Sequence, residues 1–118
     1  MKLLTKEIEK KLEKSKLYSG EKNKFPSVIV KFFDPTGSWT WYATEGEKQE
    51  DGDWLFFGLV DGHEPELGYF SLNELKHCKD GLRGLKALPI ERDMYFDGYV
   101  VDVANGKVIK ASELEKVA

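Results

Sequence analysis

Four short segments rich in β-branched and aromatic residues follow one another between residues 27 and 70, with a turn or loop signal between each and the next. Runs of this length between turn residues are typical of strands. Their order predicts an antiparallel β-meander of four or more strands. The segments are SVIVKFF at 27–33, SWTWYAT at 38–44, WLFFGLV at 54–60 and LGYF at 67–70.

The turns and the apolar patterns predict where each strand lies in the sheet. Asp34-Pro35-Thr36-Gly37 is a turn signal, since proline presets φ and glycine tolerates unusual backbone angles. Segments 27–33 and 54–60 are apolar at successive positions, which favours strands buried on both faces, the second of them central. The second segment alternates, placing Trp39 and Trp41 on one face and Tyr42 on the other. We expect most of the rings to form core.

The stretch Glu45–Asp53 is almost free of apolar residues, and DGHEPE at 61–66 contains glycine and proline. We expect the first to be a mobile acidic hairpin loop and the second to be a turn.

Two helices and a second hairpin complete the expected fold, which is of the α+β class. Leu4, Ile8 and Leu12 recur at helical spacing and predict an amphipathic helix over 3–17 that packs on the sheet. Ser71-Leu72-Asn73-Glu74 matches the capping box and predicts a helix after the fourth strand.

The C-terminal part is expected to be irregular over Lys79–Leu88 and then to pair with itself. Asn105-Gly106 lies between 95–104 and 107–110 and predicts a C-terminal β-hairpin with a two-residue turn. Residues 112–115 favour a last short helix.

Length, cysteine content and hydropathy limit the classes of protein. With 118 residues the chain suits one domain, residues 1–118. A single cysteine, Cys78, excludes a disulfide framework and favours a reducing compartment, so we expect a cytoplasmic protein. No apolar run approaches the ~20 residues that a membrane span requires.

Charge is distributed unevenly along the chain. Residues 1–24, the basic helical region, hold eight lysines and four glutamates. Because the charges alternate, a solvated helix face is favoured over nucleic-acid binding. Residues 34–66 hold nine acidic residues against Lys48. Such loops can present carboxylates to a basic protein partner.

Three blocks together resemble a bacterial and phage family catalogued as domain of unknown function number twenty-nine fifty-eight. The blocks are KFFDPTGSWTWYATE, FFGLVDGHEPELGYFSLNEL and GLKALPIERDMYF. The resemblance covers about residues 26–97. The lysine-rich first helix lies outside it, and so does the 95–110 hairpin except for its first residues. It implies a setting on plasmids, integrative elements or phages, near genes for DNA transfer or modification. It implies no catalytic residues.

The candidate catalytic patterns are each incomplete. A helical zinc motif needs a second histidine four residues after His63, where Leu67 stands. His77 and Cys78 are adjacent, so in a helix they point about 100° apart and do not form a dyad. Carboxylates gathered from Asp51, Asp53, Asp61 and Glu64 could hold magnesium, as in nucleases.

We therefore expect a non-catalytic accessory or protein-interaction module in mobile-element biology, with no cofactor, metal or membrane. Two alternatives stay open: a divalent-metal-dependent hydrolase acting on nucleic acid, and a single-stranded nucleic-acid binding protein. The predicted binding residues lie in the acidic loops and on the aromatic rims: Trp39, Tyr42, Asp51, Asp53, Asp61, His63, Glu64 and Glu66.

Overall fold

The computed structural model describes residues 2–18, 22–77 and 88–114. The elements, in chain order, are α1 (Lys6–Glu13), β1 (Val30–Phe33), β2 (Thr40–Lys48), β3 (Trp54–Asp61), β4 (Pro65–Ser71), α2 (Leu72–His77), β5 (Glu91–Arg92), β6 (Tyr99–Asp102), β7 (Lys107–Lys110) and a 3-10 helix (Ala111–Glu113).

The main sheet has five strands in the order β4-β3-β2-β1-β5, and every pair is antiparallel. β1 to β4 form the predicted meander. β5 pairs with the other side of β1, an addition that sequence patterning did not predict. β6 and β7 form a separate two-stranded hairpin. The α+β architecture, with one helix before the sheet and one after the fourth strand, is confirmed.

The sheet has apolar clusters on both faces, which we call the helix face and the hairpin face. The helix face carries the larger core under α1 and α2, and its buried rings include Phe32, Trp41, Trp54, Phe56 and Phe70. Of the fifteen aromatic residues these five are buried, so the prediction that most rings form core holds for the helix face but not for Tyr42, Phe57 and Tyr69. The hairpin face is covered in part by β6 and β7, where a smaller cluster forms around Val28, Leu59 and Val101.

Helix α1 is shorter than the predicted span of 3–17. Thr5 caps its start, and its hydroxyl accepts from the Ile8 N–H at 3.3 Å. Beyond the helix, the Ser15 carbonyl accepts from the Gly46 N–H at 3.1 Å, which joins the chain to β2. Leu12 is fully buried against the sheet, as its place on the apolar stripe predicts.

The prediction of a mobile loop over Glu45–Asp53 was wrong for its first half. β2 continues to Lys48, and the loop spans 49–53. A β-bulge lies between Ala43 and Glu45, because Ala43 pairs with Gly58 and Glu45 pairs with the next residue, Phe57. Backbone pairing with β3 sustains the strand although its side chains are polar.

Two further boundaries differ from the sequence prediction. β1 begins at Val30, with alternating burial, and Ser27 instead forms an isolated bridge to Val100. β4 begins at Pro65 rather than Leu67, because proline is tolerated at the first position of an edge strand.

The C-terminal hairpin is confirmed, but its loop has four residues, 103–106, rather than two. Asp102 pairs with Lys107, and the Gly106 N–H donates to the Asp102 carbonyl at 2.9 Å. Gly106 has the positive φ of 61°, whereas Asn105 instead donates its side-chain amide to the Asp102 carboxylate at 2.7 Å. The first strand is also shorter than 95–104, since it begins at Tyr99.

The start of α2 follows the capping-box prediction. The Ser71 hydroxyl accepts from the Glu74 N–H at 3.1 Å, and Phe70 and Leu75 are both buried in the helix-face core. The predictions for Cys78 and for residues 79–87 fall outside the described residues. No helix in the described part of the chain has the length and apolar character that crossing a membrane requires.

Two glycines that pair with each other provide a matched test of this packing. A Cβ on Gly58 would overlap the Tyr42 carbonyl oxygen in β2, whereas a Cβ on its β4 partner, Gly68, meets nothing within 4 Å. We expect Gly58→Ala to lower the free energy of unfolding by more than about 3 kcal/mol. Gly68→Ala should change it by less than about 1 kcal/mol. Urea denaturation measures both, and equal effects would contradict the packing described here.

Candidate functional site

The predicted carboxylates lie at opposite ends of β3. Asp51 and Asp53 belong to the 49–53 loop before this strand, while Asp61 ends it and Glu64 lies in the turn that follows. Eight residues of extended strand span about 25 Å. Within residues 2–18, 22–77 and 88–114 no three His, Cys, Asp or Glu side chains are grouped so that they could hold a metal ion. The carboxylates are thus two separate groups.

Asp51 and Asp53 form hydrogen bonds with the backbone. The Asp51 carboxylate accepts from the Asp53 N–H at 2.9 Å, which closes the loop. Asp53 Oδ1 accepts from the Trp54 N–H at 2.8 Å and from the Asn73 N–H at 3.0 Å. Asn73 lies in the first turn of α2, so this carboxylate caps a helix that begins 19 residues later, a cap that local sequence does not reveal.

Because Asp53 caps α2 by accepting hydrogen bonds, its contribution to the free energy of unfolding should depend on its side-chain oxygen and not on its negative charge. We expect Asp53→Ala to lower the free energy of unfolding by about 1–2 kcal/mol. Asp53→Asn keeps a side-chain oxygen and should lose less than half as much. Thermal and urea denaturation provide the comparison, with Glu50→Ala, an exposed neighbour, as the control. A loss in Asp53→Asn equal to that in Asp53→Ala would contradict the cap.

The other predicted residues gather at the end of the sheet that contains the β3–β4 turn. Trp39 and His63 contact edge to face, with ring centroids 5.6 Å apart. The Trp39 ring also lies where a Cβ on Gly62 would be, so the indole packs directly on the turn backbone. His63, Glu64 and Glu66 are exposed. The turn therefore exposes carboxylates to solvent, while the Trp39 indole packs on its backbone and holds it in place.

Tyr42 of β2 and Trp39, which directly precedes this strand, lie on opposite faces of the sheet. Tyr42 belongs to the hairpin-face cluster, where it pairs across the strands with Lys31 and contacts the Phe96 ring at 5.7 Å. The Lys31 ammonium lies 5.8 Å from the Tyr42 centroid and 5.1 Å from the Phe96 centroid. The same ammonium is 3.6 Å from the Asp93 carboxylate. We call this arrangement the lysine box: one cation held by two rings and one acid.

Burial raises the pKa of the Tyr42 phenol above its ordinary value of 10.0, and the nearby charges of Asp61 and Asp93 raise that pKa further. Each factor disfavours the phenolate. Tyr42 is therefore a neutral hydroxyl at pH 7 and can donate or accept a hydrogen bond.

The pKa of Tyr42 predicts an effect at alkaline pH. Because the pKa in the folded state exceeds that in the unfolded state, the stability contribution of Tyr42 is complete below pH 10.0 and is lost as the pH rises through the folded-state value. We expect Asp61→Asn to lower the pKa of Tyr42 and to reduce the alkaline loss. Phenolate absorbance, with Tyr42→Phe subtracted to isolate this ring, measures the pKa. Asp97→Asn is the control, and an unchanged Tyr42 midpoint in Asp61→Asn would contradict the assignment.

Strand β4 forms one edge of the sheet and has an exposed, largely apolar surface. Pro65, Glu66, Leu67 and Tyr69 are all exposed, and Tyr69 retains half of its accessible surface. Leu67 and Tyr69 lie on the hairpin face, since they pair with Leu59 and Phe57 of β3. The sequence analysis did not predict that Leu67 and Tyr69 are exposed. The alternation L-G-Y in a strand at the edge of the sheet could have indicated it.

A pocket of about 210 Å³ lies on the hairpin face beside this edge. Its walls include Tyr18, Glu45, Phe57 and Tyr69. Larger clefts lie elsewhere, and one of about 490 Å³ beside α1 is lined by charges of both signs, including Lys11, Asp93 and Asp97. The smaller pocket is distinct because it combines aromatic walls with one carboxylate.

The family described as Protein of unknown function (DUF2958) matches residues 3–104. The chain belongs to this family. The DUF2958 match includes α1, the whole five-stranded sheet and β6, so it is longer than the 26–97 region of the sequence resemblance. It ends before Asn105-Gly106 and β7. No curated protein and no solved structure matches the chain.

Proposed function

We propose that this DUF2958 protein is a non-catalytic protein-interaction module that binds a basic partner through β4 and the turn before it. One observation carries the proposal: the turn that presents the exposed side chains of His63 and Glu64 leads directly into an exposed edge strand. The two features form one continuous surface, which we call the β4 surface, comprising residues 61–69.

The outer edge of β4 suits the addition of a strand from another protein. An edge strand offers backbone donors and acceptors in a row, and an extended segment of a partner can pair with them. β4 has seven residues, whereas β5, at the opposite edge, has two. The long edge therefore provides the larger template for pairing.

The charge of the β4 surface indicates the chemistry of the partner. Asp61, Glu64 and Glu66 lie at or before the start of the strand, and no lysine or arginine occurs between residues 49 and 75. An acidic surface attracts and orients a basic segment and repels an acidic one. The partner is accordingly an extended protein segment with lysine or arginine near one end.

The mobile-element setting is supported by the family resemblance of the three sequence blocks. That resemblance implies a setting on plasmids, integrative elements or phages, near genes for DNA transfer or modification. The partner in this proposal is a basic protein of that setting.

The geometry favours this role over both alternatives. A metal-dependent hydrolase needs carboxylates that converge on one ion, but Asp53 and Asp61 are separated by the length of β3. Binding of single-stranded nucleic acid needs open rings beside cations. Trp41, Trp54 and Phe56 are buried on the helix face.

Charge reversal on the β4 surface tests the proposal. Tagged protein is used to isolate partners from cells that carry the source element, and the bound protein is identified and purified. We expect Glu64→Lys/Glu66→Lys to weaken its binding at least about tenfold, because two attractive charges become repulsive. Glu47→Lys/Glu50→Lys makes the same change in net charge at the other end of the sheet and should leave the affinity within about twofold.

Two results would overturn the proposal. One is equal binding by both double variants. The other is hydrolysis of nucleic acid by the purified chain with magnesium, manganese or zinc, lost on Asp61→Ala.

A further inference from the structure

The loop of the C-terminal hairpin holds an asparagine that is followed by a glycine, Asn105-Gly106. The backbone nitrogen of the residue after an asparagine can attack the side-chain carbonyl carbon of that asparagine, and a side chain on the attacking residue hinders the approach. Glycine has no side chain and adopts a wide range of backbone angles, so it hinders this reaction least. The other two asparagines of the chain, Asn23 and Asn73, precede lysine and glutamate.

The surroundings of this dipeptide leave room for a reaction. Asn105 is exposed, so water reaches its side chain. A Cβ on Gly106 would have the Pro65 carbonyl oxygen, at 3.9 Å, as its nearest described neighbour outside the adjoining residues. The loop therefore lies at the surface, beside the start of β4.

Three hydrogen bonds to Asp102 hold the groups that would react. The Asn105 side-chain amide donates to Asp102 Oδ2 at 2.7 Å, and the Asn105 N–H donates to Asp102 Oδ1 at 3.3 Å. The Gly106 N–H donates to the Asp102 carbonyl at 2.9 Å. The nitrogen that would attack and the amide that would leave are thus both directed towards Asp102 and not towards each other.

Asp102 is a buried and well-fixed acceptor. It retains 2% of its accessible surface, and its backbone pairs with Lys107 across the hairpin. A buried carboxylate is costly unless it accepts hydrogen bonds, and Asn105 supplies two of its donors. The loop in this form therefore requires an amide at position 105.

We infer that Asn105 is a site of spontaneous deamidation, which its hydrogen bonds to Asp102 slow in the folded chain and whose product disrupts the hairpin loop. The inference is independent of the proposed function. It concerns a covalent change that the chain undergoes without an enzyme, with water as the one co-reactant.

The reaction has two steps. The Gly106 nitrogen forms a bond to Asn105 Cγ, and the bond between Cγ and Nδ2 breaks. The proton lost from the Gly106 nitrogen leaves with Nδ2 as ammonia, and a five-membered succinimide ring remains. Water then adds to either carbonyl carbon of the ring and breaks its bond to the nitrogen. The product is an aspartate or an isoaspartate, and its acidic proton passes to the solvent.

Both products are incompatible with the native loop. An aspartate has a carboxylate oxygen where the Asn105 amide lies 2.7 Å from Asp102 Oδ2. Two carboxylates at this distance repel each other, and the buried one loses a hydrogen-bond donor. An isoaspartate inserts an additional carbon into the backbone between β6 and β7. Because the reaction does not reverse, the fraction of chains with an open loop increases with the age of the protein.

Deamidation rates in three proteins test the restraint. The full chain, Asp102→Ala and Val108→Ala are incubated at physiological temperature and mildly alkaline pH, and mass spectrometry of their peptides follows the gain of about one dalton. Val108 packs in the hairpin-face cluster, so Val108→Ala weakens the hairpin and leaves the Asp102 hydrogen bonds in place. We expect Asp102→Ala to react at least about fivefold faster at Asn105 than the full chain, and Val108→Ala less than about twofold faster.

The same three proteins in urea provide the reference. Without a folded loop they should react at Asn105 at one common rate, faster than at Asn23 and Asn73. This comparison holds whatever the stability of each variant, because the unfolded chains differ at one position outside the reacting dipeptide.

Substitution of Asn105 tests the effect of the product. Asn105→Asp introduces the aspartate directly, and we expect it to lower the melting temperature by about 5 °C or more. Asn105→Ala removes the amide without adding a charge and should have less than half of this effect. Asp102→Asn/Asn105→Asp exchanges the donor and the acceptor, and it should recover most of the loss. Scanning calorimetry measures all four proteins.

Three results would overturn the inference. The first is a mass gain at Asn105 in urea that is no faster than the gain at Asn23 and Asn73. The second is an equal rate at Asn105 in folded Asp102→Ala and in the folded full chain. The third is an equal melting temperature for Asn105→Asp and Asn105→Ala. None of these measurements involves a partner, so the proposed function is decided separately.

Discussion

The extra residue in β2 determines how both faces of the main sheet are built. Before the bulge, Trp41 and Ala43 lie on the helix face; after it, Gly46 occupies that face and Glu45 the other. Gly46 fits there because a Cβ would approach Leu12 and Phe56 within about 3 Å. The absence of a side chain lets α1 lie close to the sheet, and the bond from Gly46 to Ser15 then directs the chain towards the hairpin face.

Much of the fold could be predicted because local signals and tertiary contacts agree. The alternation around Trp41 and Tyr42 matches their burial on opposite faces, and the capping box at Ser71 begins a helix as expected. The errors arose where pairing overrides composition. The sequence E-G-E-K has the polarity of a loop, yet it pairs with β3 through its backbone. No local pattern marks the bulge or the additional strand β5.

The candidate site was predictable only in part, for the same reason. The acids of the β3–β4 turn could be found from composition, because turns at the end of a packed sheet are exposed. The roles of Asp53 and Glu45 could not be found in this way, since each depends on a contact with a segment distant in sequence. Asp53 accepts from the Asn73 N–H, and Glu45 accepts from the Tyr18 N–H. Neither residue lies in a motif. In the sequence, nothing distinguishes these two residues from the other acidic residues.

The shared acceptor at Asp53 has a consequence for local unfolding. One carboxylate oxygen holds both the first residue of β3 and the first turn of α2. A fluctuation that opens the hairpin tip removes the cap from the helix, and fraying of the helix releases the tip. The start of β3 and the start of α2 are therefore coupled, and we expect them to open as one cooperative segment whose amides exchange with solvent together. Because β4 lies between these ends in the chain, the edge proposed to bind a partner belongs to the same segment, and its occupation would slow exchange throughout that segment.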